Sequence, residues 1–171
     1  MLLMILGGVF LALCLFAALH DLNSLTIPNW VNLTLALLFI PAAAVSGLPL
    51  EMIGGHLLAG AAAFVIAFAL FAFNIFGGGD AKMIPAVILW MGPDTALPFT
   101  MSMALAGGAM AFLILMVRKS MPAEAIPGPV RAAFEEKAGV PYGVAIAAGV
   151  FLAGSGSPLL TGLLSQLSVF S

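Results

Sequence analysis

Apolar residues in this chain come in long unbroken runs. Residues 1–20, 22–50, 52–79, 83–93, 95–117 and 138–171 hold no Asp, Glu, Lys or Arg. A helix needs about 20 residues to cross a hydrocarbon core of about 30 Å. The runs and their breakers predict spans at about 2–20, 30–46, 52–75, 96–117 and 141–157. The breakers are the polar stretch 21–29 with Pro28, Ser46-Gly47-Leu48-Pro49, Gly77-Gly78-Gly79, Arg118-Lys119 and Gly154–Pro158.

A further run, Ala81 to Met91, ends at Gly92-Pro93-Asp94. Eleven residues give roughly 16 Å of helix, about half a membrane. Either this helix continues past Pro93 with a kink, or it starts below the membrane surface. The second case puts residues 77–82 at membrane depth, where irregular backbone is tolerated only inside protein or beside a watery cavity. Counting this run, the prediction is an all-α, polytopic membrane protein of six transmembrane helices.

Composition agrees. Of 171 residues, 63% are hydrophobic and 7% charged, and the mean hydropathy is +1.23. A soluble domain carries roughly 25% charged residues. An ordinary cytosolic enzyme, a nucleic-acid binder and a disordered chain are therefore excluded. Residues 2–19 lack the basic n-region of a signal peptide and read as a retained membrane helix. Gly55/Ala59, Ala104/Gly108 and Gly149/Ala153 are small-residue pairs suited to close helix packing, or simply reflect Ala and Gly richness. Trp30 and Trp90 fall near span ends, as interfacial belts do. The Phe-rich stretch 64–76 reads as lipid-facing or packing surface. Residues 159–171 read as a helix extension or an interfacial segment.

Charge sets the orientation. With six spans, Lys82, Arg118, Lys119, Arg131 and Lys137 all fall in loops on one side, while the opposite loops carry only Glu51 and Asp94. The positive-inside rule makes the basic side cytoplasmic. The cytoplasmic loops are then about 21–29, 76–82 and 118–140, with both termini outside the cytoplasm. The last loop reads as turns around Pro122, Pro127 and Pro129 followed by a short surface helix near 130–138.

The lone cysteine, Cys14, offers neither a disulfide nor a zinc pair and reads as a small apolar residue. His20 and His56, without cysteine partners, are weak metal candidates, so no metal and no cofactor are expected.

Seven acids remain. Glu124, Glu135 and Glu136 fall in the long loop, and Glu51 and Asp94 in outer turns. Asp21 and Asp80 differ, since each adjoins an apolar span on the basic side. Acids at membrane depth are costly and mark function by default. Two carboxylates at one site can share a proton, one activating water while the other polarises a carbonyl. Helix-end caps are the plain alternative. Gly77-Gly78-Gly79 before Asp80 leaves backbone open to a close-lying chain.

Gly77-x-Gly79-Asp80-x-Lys82 resembles the signature of GxGD intramembrane aspartyl proteases, in the form found in type IV prepilin peptidases. Asp21, followed by Ile27-Pro28-Asn29, and the late Pro141-Tyr142-Gly143 are similar to two further motifs of that family, in the same order. The resemblance implies one peptidase domain over 1–171, with Asp21 and Asp80 as the catalytic pair. Gly77 and Gly79 would shape the loop, and Lys82, Pro28, Asn29 and Tyr142 carry over as motif positions lining it. It implies removal of basic leaders from prepilin or pseudopilin precursors at the cytoplasmic face of a bacterial inner membrane. It further implies membrane lipid and the pilus assembly machinery as surroundings, and no nucleic acid. Larger members add a four-cysteine zinc domain and methylate the new N-terminus. This chain lacks those cysteines and resembles the short form of tight-adherence (Flp-type) pili. It departs from the pattern in having no Arg or Lys within 22–26.

Two rival classes stand beside this one. A small transporter or channel would use the same two acids as ion or proton sites. A non-catalytic assembly scaffold would need neither.

Overall fold

The computed structural model describes residues 1–121, 125, 126, 128–135 and 138–161. Among these every regular element is helical. The α-helices are α1 (Leu2–Ser24), α2 (Asn29–Ser46), α3 (Leu50–Ala72), α4 (Asp80–Met91), α5 (Pro93–Ser120), α6 (Gly128–Arg131) and α7 (Tyr142–Ala153). Short 3-10 turns follow at Ala132–Phe134 and Gly154–Gly156. Without the one-turn α6, six helices stand where six spans are predicted. α1, α2, α3 and α5 are long and apolar enough to cross a membrane, while α4 and α7 are shorter.

Local chemistry moves several boundaries. α1 runs beyond residue 20 to Ser24, so Asp21 lies on a helix and not in a loop. Asn23 Nδ2 donates to the Leu19 carbonyl at 2.7 Å and Ser24 Oγ to the His20 carbonyl at 2.7 Å. These bonds carry the helix through its polar end, and Leu25 then leaves it with φ 53°. α3 stops at Ala72, short of the glycine run. Asn74 adopts φ 57°, and the amides of Asn74 and Ile75 bond back to Phe71 and Leu70, forming a Schellman ending. Gly92, at φ 76°, ends α4, and α5 begins at once with Pro93. The fourth helix therefore does not continue through Pro93. It is a separate rod of 12 residues, about 18 Å long.

This short rod is the centre of the molecule. Nine of its 12 residues are buried, whereas α3 buries 4 of 23. A helix apolar on all sides belongs inside, and α2, α3, α5 and α7 pack around α4. Its C-terminal carbonyls would otherwise be orphaned in hydrocarbon. His56 Nδ1 lies 2.9 Å from the Leu89 carbonyl, and Ser157 Oγ donates to the Trp90 carbonyl at 2.6 Å. His56 is thus a buried helix cap.

Trp90 corrects the interfacial reading. It is fully buried, stacks on Phe10 at 4.5 Å, and donates its indole N–H to the Leu35 carbonyl at 2.8 Å. Trp30, 54% exposed, keeps an outward position. Phe64, Phe68 and Phe71 are exposed on α3, as a lipid-facing surface requires. The pair Ala104/Gly108 faces outward, with open space at Gly108. The close approach comes one residue earlier, where Gly107 meets the ring of Tyr142. Glu51 and Asp94 fall in the first turns of α3 and α5 and not in loops, where acids suit the helix dipole.

Between α5 and α7 the expected surface helix is α6 with its 3-10 turn. Arg118 holds this segment down, Nη2 donating to the carbonyls of Ala133 at 2.8 Å and Ala138 at 2.9 Å. Glu124, Glu136, Lys137 and the tail 162–171 lie outside the described residues.

Candidate active site

Asp21 projects from the last turn of α1 towards α7. It is 4% exposed, and its Oδ2 accepts the Gly143 amide at 2.8 Å. Gly143 is the second residue of α7, so this N–H is one of the donors that a helix start leaves without an intrahelical partner. The carboxylate therefore caps α7, where the dipole favours negative charge. The fit tolerates no side chain at 143. A Cβ there would lie 2.9 Å from the Asp21 Cβ and 3.1 Å from its Oδ2.

Asp80 is the first residue of α4 and half-buried. The turn before it closes through Ala81 N to Gly77 O at 3.0 Å and Met83 N to Gly79 O at 3.0 Å. The Asp80 carboxylate folds back on the Gly77 backbone, so near that a Cβ on Gly77 would be 2.9 Å from Oδ2. Gly79 presses on the other side. Its Cβ would meet Ile27 Cβ at 3.0 Å and Ile27 N at 3.2 Å. Two of the three glycines are thus required by close approach, one to Asp80 and one to the Ile27-Pro28-Asn29 segment. Asn32, on α2, adds a strap by donating to the Gly79 carbonyl at 3.3 Å.

The two acids meet at one cavity of about 550 Å³, lined also by Gly77, Gly79, Asn29 and Tyr142. That volume is in the range of small-ligand sites. Asp21 and Asp80 interact electrostatically across it. Lys82 reaches the rim and donates to Asn29 Oδ1 at 2.8 Å, joining the start of α4 to the start of α2. Tyr142 packs on Phe76, ring centroids 5.9 Å apart. Pro28 does not line the cavity. With φ −61° and ψ 136° it is the extended residue from which α2 starts. The turn at 20–26, with no Arg or Lys within 22–26, is closed by polar contacts instead. His20 Nδ1 lies 2.8 Å from the Thr26 carbonyl and 2.9 Å from Ser24 Oγ.

Four contributors escape a reading of the sequence. Gly143 sits inside a motif whose tyrosine draws the attention. Gly139 and Val140 wall the cavity from the loop that Arg118 fastens. Asn32 is one polar residue within an apolar helix, a signal of the same kind as Asp21. Among the described residues, no three His, Cys, Asp or Glu side chains gather as a metal centre would need.

A bundle of apolar helices with two carboxylates on one polar cavity at its end defines a polytopic membrane protein with an acid-bearing site. The chain matches the type IV leader peptidase family over residues 8–123 and belongs to that family. The match spans Asp21 and Asp80. No curated protein and no solved structure matches the chain.

Proposed function

We propose that the chain is an aspartyl endopeptidase that removes the leader peptide from prepilin-like precursors, with Flp-type pilins as its substrates. Asp21 and Asp80 work as a pair with one proton between them. One carboxylate takes a proton from the attacking water, and the other donates a hydrogen bond to the scissile carbonyl. The glycines at 77 and 79 let the loop close tightly on Asp80 and on Ile27, which fixes the second acid at the cavity. The observation carrying this reading is that two acids 59 positions apart in an almost uncharged chain line the same cavity.

The cavity opens on the cytoplasmic side of a bacterial inner membrane in this reading. Lys82, Arg118, Lys119, Arg131 and Lys137 fall on that side of six crossings, and both termini on the other. Cleavage of a purified Flp-type precursor tests the assignment. Asp21→Asn and Asp80→Asn should each lower the rate by about 10²–10⁴-fold while the folded bundle survives. Full activity in either variant would exclude the pair. Proton or cation flux into proteoliposomes, with no cleavage, would support a transporter instead.

A further inference from the structure

A second cavity of about 570 Å³ lies between α2, α3 and α4. Its walls include Ala36, Ala61 and Ala86, and its rim carries Leu33 and Phe64, which are 60% and 53% exposed. In a membrane those rim residues face lipid, so the groove opens sideways into the bilayer. It also adjoins the acid cavity, since Asn29 and Lys82 line both. From Lys82 to Leu89 it follows α4 for seven residues, about 10 Å or two helical turns.

We propose that this groove seats the first two turns of the substrate's own membrane helix, next to the cut site, a role that rests on the peptidase reading above. A polypeptide on a lipid-open surface must satisfy its backbone internally, so the occupant is helical there. Lys82, at the junction, is the only charge on the groove among the described residues, which suits an occupant uncharged beyond the first turn. The small wall residues let a second helix backbone approach closely. A chain extended across the two acids enters the groove directly as it passes Asn29 and Lys82. A polar element also marks that end. Asn32 lines the groove, is 5% exposed, and among the described residues its Oδ1 has no hydrogen-bond partner. An acyl chain would leave that acceptor unmet, whereas a peptide or side-chain N–H of an entering helix supplies a donor.

The test separates binding from cutting. Ala61 is exposed and on the groove wall, so Ala61→Trp fills the groove with little disturbance of the packed interior. Leu105→Trp, on the lipid face of α5, serves as control. Two substrates are compared: a Flp-type precursor with its membrane helix, and a short peptide spanning only the leader and cut site. Ala61→Trp should raise KM for the precursor by about tenfold or more and leave the short peptide unchanged, as loss of remote binding requires. Equal effects on both substrates, or none on the precursor, would overturn the groove. An independent readout uses Ala61→Cys in the Asp80→Asn background, crosslinked to a precursor with one cysteine in the first two turns of its helix. A crosslink, with the protein that keeps Asp80 failing to cut the same precursor, would uphold the groove and sink the peptidase reading. Labelling of lipid alone by a photoreactive group at position 61 would overturn the groove while leaving the peptidase reading intact.

Discussion

A methyl group on residue 143 has nowhere to go. It would press on Asp21 at 2.9 Å and on the Ala17 carbonyl at 3.3 Å, both parts of the helix that carries the first acid. Gly143→Ala therefore has to push α7 from α1 or turn the Asp21 side chain off its amide. Overpacking of this kind costs about 1–3 kcal/mol of stability. A 1 Å misplacement of a reacting group can cost about 10²-fold in rate. The expected outcome is a folded but less stable protein whose cleavage rate falls by about 10²-fold. Gly139→Ala is the control. Gly139 also walls the cavity but has open space where a Cβ would stand, so its rate should stay near wild type. Thermal unfolding beside cleavage kinetics checks both; equal behaviour of the two variants would remove Gly143 from the site's geometry. At this scale Asp21 and Asp80 were legible because a carboxylate among apolar residues needs a reason. Gly143 was not, since one glycine of 19 says nothing about which neighbour needs its space.

At the scale of elements, helices were easy to read and their ends were not. Long charge-free runs announce spans, but stopping is decided by bonds that no run reveals. α3 ends on the left-handed Asn74 before its glycines are reached, and α1 gains a turn from Asn23 and Ser24. Trp90 was misplaced for a related reason. Its position near a span end suggested an interface, but the C-terminal end of the short α4 lies inside the bundle, so Trp90 is buried too. The loop before α7 shows an element that one side chain fastens beside the packing of Ile126 and Ala133. Arg118 bonds the carbonyls of Ala133 and Ala138, and the next residues, Gly139 and Val140, wall the acid cavity. Arg118→Met keeps the apolar stem and removes these charge-assisted donors, each worth about 1.5–3 kcal/mol. The loop should then detach while the spans stay packed. Limited proteolysis should cut faster within 125–139, kcat/KM should drop, and the unfolding temperature of the bundle should hardly move. A variant as protease-resistant as wild type would show that the loop is held by other contacts.

For the whole molecule, the scarce charges decide where each end of the bundle lies. The acid cavity is built from the ends of α1, α4 and α7 and the start of α2, so it sits at one face of the bundle and not at its middle. Lys82, on that cavity, and Arg118, which fastens its wall, belong to the same face. Glu51 and Asp94 lie at the opposite face, in the first turns of α3 and α5. If the basic face is cytoplasmic, a precursor presents its cut site to the acids from inside the cell. If the bundle were inverted, the same site would open on the opposite side of the membrane. Single-cysteine labelling decides between the two. The native Cys14 is buried, so it contributes little background to an impermeant thiol reagent. Glu51→Cys is exposed and should react in intact spheroplasts. Lys119→Cys, exposed at the other face, should react only after the membrane is opened. Each arm reports on a different end of the bundle, so agreement fixes the orientation and a reversed pattern inverts it. A reversed pattern alongside normal cleavage by the purified protein would leave the chemistry standing but require that substrate reach the acids from outside the cell.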